Sequence, residues 1–247
     1  MKDKEKWKPS KFTYRNGKLL ASRNPDEVAV SSRLSADIVA SYYDTYIRRY
    51  ACGKLLDLGC GKVPLFDAYK NFVTENICVD WGNSPHGNEY LDLECDLTRT
   101  LPFANGEFNT IILSDVLEHI PDPMQLWNEM SRVLTSGGRI IMNVPFFYCL
   151  HEQPHDYYRY SEFSLRRFAE ASRMNIVQLT AVGGVPEIIA DMVAKCIVQL
   201  PYVGRSLAAI TQYVTSIFIK TRIGIRASER TRKLFPLGYF LVVEKRI

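Results

Sequence analysis

The stretch KLLDLGCG, residues 54–61, joins an apolar run to residue types that could hold a polar ligand. The run leads into an acid, Asp57, and glycines follow at Gly59 and Gly61. Glycine lets a backbone approach a ligand with no Cβ in the way, and parallel sheets bind ligands at the carboxyl ends of their strands. The spacing therefore predicts a turn that binds a nucleotide-like ligand.

The glycine spacing alone leaves two cofactors open. A dinucleotide turn, GxGxxG, would need its third glycine at position 64, where Pro64 removes a backbone N–H and fills the helix-packing position. Turns for S-adenosylmethionine have an acid two residues before GxG, as Asp57 is here, and a third glycine at position 63, where Val63 stands. Neither pattern is complete.

A second group of chemically capable residues lies in the loop FFYCLHEQPHDYYRYS. Histidine titrates near neutral pH and can act as a general base, so we expect His155 first, and His151 second, to take a proton. Asp156 could orient a histidine ring or act itself. The alternative is that these side chains and the neighbouring tyrosines only order the loop. No metal site is expected, because Pro154 opposes a helix that would pair His151 with His155.

The two remaining histidines are weaker candidates. His119, in VLEHIPD, is expected to be structural, and His86, in WGNSPHGN, is expected in an exposed turn.

Short apolar runs alternate with amphipathic segments along most of the chain, which predicts an α/β fold. We expect a mostly parallel sheet with helices on both faces and ligands bound beyond Leu58, Val79, Leu93, Leu113 and Val144. The predicted strands are KLLDL, NICVD, EYLDLECDL, NTIILSD, RIIMNVP, NIVQLTAV and GYFLVVEKR. The predicted helices are SRLSADIVASYYDTYIRRY, capped by Ser35; LFDAYKNF; DPMQLWNEMSRVL, with Pro123 in its first turn and SGG at its end; and SEFSLRRFAEAS, capped by Ser161.

Two segments fall outside this alternation. Residues 1–34 form a basic N-terminal extension, and its first eleven residues, which include five lysines, are expected to be a solvated flexible terminus or, alternatively, a contact for anionic lipid headgroups. Residues 35–247 form the main domain, with a helical insertion at about 184–235. The apolar part of the insertion, residues 186–220, predicts two or three helices that cap the core, form a homodimer surface or rest on a bilayer.

Bulk properties narrow the function class. The net charge of +4 over 247 residues is modest and its basic residues are spread out, so no nucleic-acid partner is expected. The start of the chain lacks the apolar core of a signal peptide. The six cysteines include no CxxC pair and lie in or beside apolar runs, as buried reduced thiols do. We expect a cytoplasmic protein, with peripheral contact at the inner face of the membrane as an option.

Further motifs add a family resemblance. The segments LLDLGCG, NICVD, DLTRTLPFANGEFNTIILSDVLEHIPDP and LTSGGRIIMNVP occur in this order. Together they resemble class I S-adenosylmethionine-dependent methyltransferases of the type 11 kind, over about residues 35–180 and the closing strand. Within that class, HEQPHDYYRYSEFSLRRF is similar to a subgroup associated with bacterial surface-glycan biosynthesis. The resemblance implies a Rossmann-like sheet of seven strands in three α/β/α layers, with an antiparallel last strand after the helical insertion.

The resemblance also implies roles for individual residues. Asp80 would accept hydrogen bonds from both ribose hydroxyls, and Asp96 from the adenine amine, although Asp92 and Glu94 are close rivals of Asp96. Asp57 is expected to act mainly by fixing the loop. The implied S-adenosyl-L-methionine site comprises Asp57, Gly59, Cys60, Gly61, Asp80, Trp81, Asp96, Leu97, Ser114 and Asp115.

The expected reaction is methyl transfer to a small-molecule, glycan or lipid-linked acceptor, at oxygen. The alternatives are methylation of a quinone or polyketide-type ring, and a non-catalytic protein that binds the cofactor, a partner or a membrane.

Overall fold

A computed structural model describes residues 1–82, 87 and 89–247. The turn predicted at His86 lies outside the described residues. Near the N-terminus, β1 (Phe12–Arg15) and β2 (Lys18–Ala21) form an antiparallel hairpin. The main sheet is built from β3 (Lys54–Leu58), β4 (Glu75–Asp80), β5 (Leu93–Glu94), β6 (Phe108–Ser114), β7 (Leu134–Pro145), β8 (Met174–Val182) and β9 (Gly238–Lys245).

The strand order of the main sheet is β5-β4-β3-β6-β7-β9-β8. Neighbours from β5 to β7 pair in parallel, whereas β9 runs antiparallel to both β7 and β8. The predicted Rossmann-like seven-stranded sheet with an antiparallel last strand is confirmed. Its helices are α1 (Arg33–Tyr50), α2 (Phe66–Tyr69), α3 (Pro123–Val133), α4 (Glu162–Ala171), α5 (Val185–Ile197), α6 (Gly204–Phe218) and α7 (Arg222–Thr231).

The sheet separates two apolar clusters because successive strand residues point to opposite faces. On one face Leu56 and Leu58 belong to a cluster with Trp127 of α3 and Leu165 of α4. On the other face Leu55 belongs to a cluster with residues of α1, α2 and the hairpin. All seven of these central apolar positions in β3 and β6 are fully buried, namely Leu55, Leu56, Leu58, Phe108, Ile111, Ile112 and Leu113.

The N-terminal extension is packed on the domain, so the expectation of a flexible terminus is wrong. Phe12 is buried in the core beside α1. The indole N–H of Trp7 donates to the carbonyls of Lys62 and Val63, at 3.3 and 3.2 Å. Lys11 forms an ion pair of 2.8 Å with Asp115, at the carboxyl edge of the sheet. The segment therefore forms a wall at the edge where ligands are expected.

Several local predictions need correction. Ser35 lies inside α1, which begins after Ser32, and its hydroxyl donates to the Ser32 carbonyl rather than capping the helix. SGG does not end α3, since the helix stops at Val133 and Leu134 already starts β7.

Other corrections concern α2 and the thiols. The α2 helix is a single turn rather than the whole of LFDAYKNF. All six cysteines are free, but only Cys60 and Cys78 are buried, so the expectation of buried thiols is wrong for the exposed Cys52, Cys149 and Cys196. The cap at Ser161 is confirmed, because its hydroxyl accepts from the Ser164 N–H.

The insertion consists of three helices, α5 to α7, that present many apolar side chains to solvent. On α5, Ile189 and Met192 are 55% and 60% exposed, and on α6, Ile210 and Tyr213 are 56% and 66% exposed. So many exposed apolar side chains are unusual for a helix pair that only caps a core. Among the described residues, the helices are too short or too polar to cross a membrane.

Val63 explains how the turn after β3 forms without its third glycine. Its φ is +51°, a left-handed conformation that β-branched residues rarely adopt. Its side chain is fully buried, and its backbone N–H donates to the Cys60 carbonyl at 2.7 Å. The position therefore keeps a glycine-like backbone, and packing of the valine side chain holds it there.

At most buried positions an alanine variant is more stable than a glycine variant, but the left-handed conformation of Val63 predicts the opposite order there. Val63→Ala removes the packing of the valine side chain but keeps the backbone strain. Val63→Gly removes the same packing and also relieves the strain, and this strain costs about 1–2 kcal/mol in an L-residue. After the extra backbone entropy of glycine, we expect Val63→Gly to be more stable than Val63→Ala by about 0.5–1 kcal/mol in urea unfolding.

The matched control is Val79, which is fully buried in β4. There Val79→Gly should be the less stable of the two variants, as is usual in a strand. If the alanine variant is the more stable one at position 63 as well as at position 79, the strain at Val63 is contradicted.

Candidate functional site

A cavity of about 1160 Å³ lies at the carboxyl edge of the sheet, with Lys11 and Phe12 of the N-terminal extension in its wall. Its lining includes all of the predicted site residues except Asp156. Those residues are Asp57, Gly59, Cys60, Gly61, Asp80, Trp81, Asp96, Leu97, Ser114, Asp115, His151 and His155. The roles predicted for them stay predictions, but the fold brings them to one cavity.

The glycine turn is shaped by its own backbone and by Asp80. Gly59 has a φ of +67°, and a Cβ there would lie 2.5 Å from Val116 Cγ2. Gly59 is therefore required by the backbone conformation and by the packing of Val116, a reason different from the expected close approach to a ligand. The Gly61 N–H donates to Asp80 Oδ2 at 2.9 Å, and the Trp81 N–H donates to Asp80 Oδ1 at 2.8 Å. These bonds orient the Asp80 carboxylate beside the turn.

Asp57 is a buried acid at the bottom of the cavity. Its side chain accepts a hydrogen bond of 3.2 Å from the Tyr69 hydroxyl. Burial raises the pKa of Asp57 to about 7, and the nearby charge of Asp80 acts in the same direction, against the hydrogen bond from Tyr69. Among the described residues no cation pairs with Asp57, so a cationic group bound in the cavity would favour its ionised form.

Among the three rival acids after β4, Asp96 is the one that lines the cavity. The Thr98 N–H and hydroxyl both donate to Asp96 Oδ1, at 2.9 and 2.7 Å. These bonds lower the pKa of Asp96, so the group is ionised at neutral pH. Asp92 instead accepts from the Cys78 N–H at 2.8 Å and serves the strand pairing.

A fourth acid, Asp115, directly follows β6 and has a φ of +54°. Its Oδ1 accepts from Asn143 Nδ2 at 2.5 Å, and its Oδ2 pairs with Lys11. The Oδ1 atom of Asn143 is buried and accepts no hydrogen bond from the described part of the chain. Neither Lys11 nor Asn143 was predicted as a site residue.

The histidine loop is held by many hydrogen bonds to the turn after β6. The N–H groups of Tyr157 and Tyr158 both donate to the Glu118 carbonyl, at 2.9 and 3.3 Å. The Tyr160 hydroxyl donates to the Leu117 carbonyl at 3.0 Å. Two backbone N–H groups of the loop and one tyrosine hydroxyl thus order the loop.

The three predicted catalytic residues differ in their surroundings. His155 is exposed, with Nδ1 3.1 Å from the Tyr157 hydroxyl and its ring against Trp81 at 5.3 Å between centroids. Asp156 has a nearly buried side chain, bonded to Arg159 at 2.5 and 2.8 Å. Arg159 holds the pKa of Asp156 far below its usual range, so the group is a poor proton acceptor. His151 is half-buried, which lowers its pKa, but the nearby carboxylates of Glu118, Asp156 and Glu152 together raise the pKa above its usual value.

Sequence reasoning also missed Glu118. It belongs to the short turn Leu117–His119 that follows β6, and its side chain is fully buried at the cavity wall. Burial raises the pKa of Glu118. The only sequence signal was an adjacent acid and histidine placed just beyond a strand end.

The cavity fits S-adenosylmethionine because acids line it and because a buried polar atom in its wall has no hydrogen bond among the described residues. The cofactor carries a sulfonium and an ammonium, and the cavity is lined by the acids Asp57, Asp80, Asp96 and Asp115. The orphaned Asn143 Oδ1 offers one further acceptor. A volume of about 1160 Å³ exceeds that of most small-ligand pockets and leaves room for an acceptor beside the cofactor.

Comparisons with known proteins agree with this assignment. Residues 56–142 match the family model described as a methyltransferase domain. A 44-residue stretch is 46% identical to an uncharacterized methyltransferase of Mycobacterium sp. (strain KMS), and it covers 18% of each chain. The aligned stretch thus spans less than a fifth of the length of this curated relative.

Solved structures share the fold at low sequence identity. An S-adenosylmethionine-dependent methyltransferase from Mesorhizobium loti aligns with a TM-score of 0.51 and 12% identity, over 81% of this chain and 96% of that one. An N-methyltransferase of Haemonchus contortus, in complex with phosphomonomethylethanolamine and S-adenosylhomocysteine, aligns with a TM-score of 0.54 and 14% identity, over 91% and 58%.

The raised pKa of Asp57 predicts a pH-dependent stability. The folded protein binds this proton more tightly than the unfolded chain, whose Asp titrates near 3.8. Stability is therefore lost as pH rises from about 4 to about 7 and is level above that. Asp57→Asn keeps an acceptor for Tyr69 and removes the titration. We expect the unfolding free energy of the wild type to fall relative to the variant by up to about 4 kcal/mol between pH 4 and 8. A pH-independent difference would contradict the burial of the charge.

Proposed function

We propose that the protein transfers a methyl group from S-adenosylmethionine to an acceptor oxygen, a proposal supported by the match of residues 56–142 to a family model described as a methyltransferase domain. The observation that carries the proposal is the single cavity where the acids of three parallel strand ends meet the histidine loop. The acceptor class we propose is a glycan or lipid-linked molecule.

The cofactor residues follow from the geometry of the acids. Asp80 is held by two backbone N–H groups, and we propose that its carboxylate accepts hydrogen bonds from both ribose hydroxyls. Asp96, with one oxygen held by Thr98, is proposed to accept from the adenine amine, with the Leu97 N–H on a ring nitrogen. Gly59, Cys60, Gly61 and Trp81 would border the cofactor, while Ser114 and Asp115 would lie beside its methionine part.

Asp57 is proposed to act through charge. With an empty cavity its pKa of about 7 leaves it partly protonated at neutral pH. A bound ammonium would favour ionisation of Asp57, so cofactor binding would release a proton there.

The transfer step needs positioning and a proton acceptor. S-adenosylmethionine supplies an electrophilic methyl group: the S–CH₃ bond breaks toward sulfur as the acceptor oxygen forms the new O–CH₃ bond. His155, exposed at the cavity and oriented by Tyr157 and Trp81, is proposed to take the hydroxyl proton. His151 remains the second candidate base, while Asp156 is proposed to orient His151, since its side chain is engaged by Arg159.

The exposed face of the insertion favours a lipid-linked acceptor. Lys195 of α5 lies 3.5 Å from the ring centroid of Tyr148, which lines the cavity, so the insertion adjoins the site. The exposed apolar side chains of residues 186–220 would rest at the headgroup level of the inner face of a membrane. A lipid-linked acceptor would then reach the cavity from the bilayer. A quinone ring is the alternative acceptor of this kind, and a homodimer surface is the alternative use of the face.

Binding of S-adenosylhomocysteine tests the cofactor assignment. We expect the wild type to bind it in calorimetry, Asp80→Ala to bind about 100-fold more weakly, and Asp80→Asn, which keeps one acceptor and the turn, to lie between them. The control Asp67→Ala removes an acid of α2 that pairs with Lys70 outside the cavity, and it should bind normally. Failure of the wild type to bind would reject the proposed function, and normal binding by Asp80→Ala would reject the ribose contact.

Transfer of tritium from labelled S-adenosylmethionine tests the acceptor class and the base. With a membrane lipid extract that contains polyprenyl-linked glycans, label should enter the organic phase. His155→Ala should slow this at least about 100-fold, and added imidazole should restore part of the rate. Phe163→Ala, a control at an exposed position of α4, should match the wild type.

Each other outcome of the labelling experiment has a meaning. Cofactor binding without any label would favour the non-catalytic alternative. A normal rate in His155→Ala would remove this residue as the base.

A further inference from the structure

Three side chains at the cavity wall bring their ligating atoms together. Glu118 and His119 come from the turn after β6, and His151 comes from the loop after β7. Their ligating atoms all lie within 4.8 Å of one another. Glu118 Oε1 is 3.8 Å from His119 Nε2 and 3.7 Å from His151 Nε2.

Both imidazole rings are turned so that Nε2 faces Glu118. The Nδ1 atom of His119 is 2.7 Å from the His155 carbonyl, which fixes a proton on Nδ1 and leaves Nε2 as a lone-pair donor. The Nδ1 atom of His151 is 3.3 Å from Asp156 Oδ2. A carbonyl or carboxylate behind a histidine is the arrangement that orients histidine ligands in metal sites.

Among the described residues, the two imidazoles are the groups that face the buried Glu118 carboxylate. It is fully buried, and neither oxygen has a hydrogen bond within the described part of the chain. His119 Nε2 is also buried and without a hydrogen bond there. Burying an unpaired carboxylate is strongly unfavourable, so atoms left in this state indicate a missing binding partner. A group placed between the three side chains would satisfy all of them at once.

We propose that Glu118, His119 and His151 bind a divalent first-row transition-metal ion such as Zn²⁺. Two imidazoles and one carboxylate form a donor set that suits this class of ion, and three protein ligands leave a coordination position open. Tetrahedral Zn²⁺ with bonds of about 2.0–2.1 Å separates its ligand atoms by roughly 3.3 Å. The two separations from Glu118 Oε1 exceed this value by a few tenths of an ångström, and every pair of ligating atoms lies within 4.8 Å.

The proposed metal site gives the ion pair of Asp156 and Arg159 a role, which is to hold a metal ligand in position. Arg159 fixes the carboxylate with two hydrogen bonds, and the carboxylate in turn faces His151 Nδ1. Asp156 is thus a positioning residue for a ligand. The sequence-based expectation of no metal site considered only the pair His151 and His155, whereas the fold pairs His151 with His119, at 4.7 Å between ring centroids.

Resting on the proposed methyl transfer, the ion has a role on the acceptor side of the cavity. The three ligands line the same cavity as the proposed cofactor residues. A bound ion would lower the pKa of an acceptor hydroxyl at the open position and fix its oxygen in place. His155 would take the hydroxyl proton, and the oxygen lone pair would form the bond to the methyl group as the S–C electron pair returned to sulfur.

Metal binding can be measured without cofactor or acceptor. The full chain is stripped with a chelator and titrated with Zn²⁺ or with Mn²⁺ in calorimetry, and the bound metal is quantified after dialysis. We expect one equivalent of Zn²⁺. Changes around metal ligands alone typically weaken binding about 10–100-fold. We therefore expect Asp156→Asn to weaken binding by about that factor, and Glu118→Gln and His151→Ala to weaken it more than about 100-fold.

Two controls separate this site from adventitious binding. Cys149→Ala removes an exposed thiol two residues from His151, and His155→Ala removes a nearby imidazole outside the ligand set. Both should keep one equivalent. Circular dichroism shows whether each variant is folded. If a variant is unfolded, the absorption spectrum of Co²⁺ bound to the wild type tests the site instead, because it reports whether the ion is tetrahedral with nitrogen and oxygen ligands.

The outcomes are decisive in each direction. No wild-type binding, binding unaffected by Glu118→Gln and His151→Ala, binding lost in Cys149→Ala, or a thiolate-type Co²⁺ spectrum would overturn the proposal. Metal binding without S-adenosylhomocysteine binding would uphold this site and reject the proposed function. The reverse result would reject only the metal site.

Discussion

The parallel pairing of β4, β3 and β6 is the interaction on which the candidate site depends. Leu58 is in register with Val79 on one side and with Leu113 on the other, so these three strands end at the same level. Fully buried leucine, isoleucine and valine side chains hold this register, because a slip of one residue in a strand would move its side chains to the opposite face of the sheet. The polar residues at the ends of the three strands therefore line one cavity, and the register of the strands places them there.

Uncompensated negative charge is the second common feature of the site. Asp115 and Asp156 are paired with Lys11 and Arg159, whereas Asp57 is buried with no paired cation among the described residues. Glu118 is buried 3.8 and 3.7 Å from the imidazoles of His119 and His151, without a hydrogen bond to either carboxylate oxygen in that part of the chain. A buried carboxylate without a partner is costly, and natural proteins keep one mainly where a ligand completes it. On this account the cofactor's cationic groups complete the cavity around Asp57, and a metal ion completes the cluster around Glu118.

The sequence predicted the sheet well and the site in part. Continuous apolar runs identified β3, β4, β6 and β7. The acids and the glycine at the ends of β3 and β4 identified Asp57, Gly59 and Asp80, which line the cavity. Lys11 was missed because a cluster of lysines is typical of a solvated terminus, although Trp7 within the cluster packs on the domain and Phe12 directly after it is buried. Glu118 was missed because its partner His151 lies 33 positions away, and only the fold brings the two together. Val63 was read as a departure from the pattern, yet its backbone has the conformation that the missing glycine would have had.

A crystal structure of the protein with S-adenosylhomocysteine tests the central claim most directly, because the claim is that one cavity binds the cofactor through strand-end acids. The account predicts the ligand in the cavity, with both ribose hydroxyls on the Asp80 carboxylate and the adenine amine on Asp96. A ligand bound elsewhere, or in the cavity with its ribose away from Asp80, would contradict it.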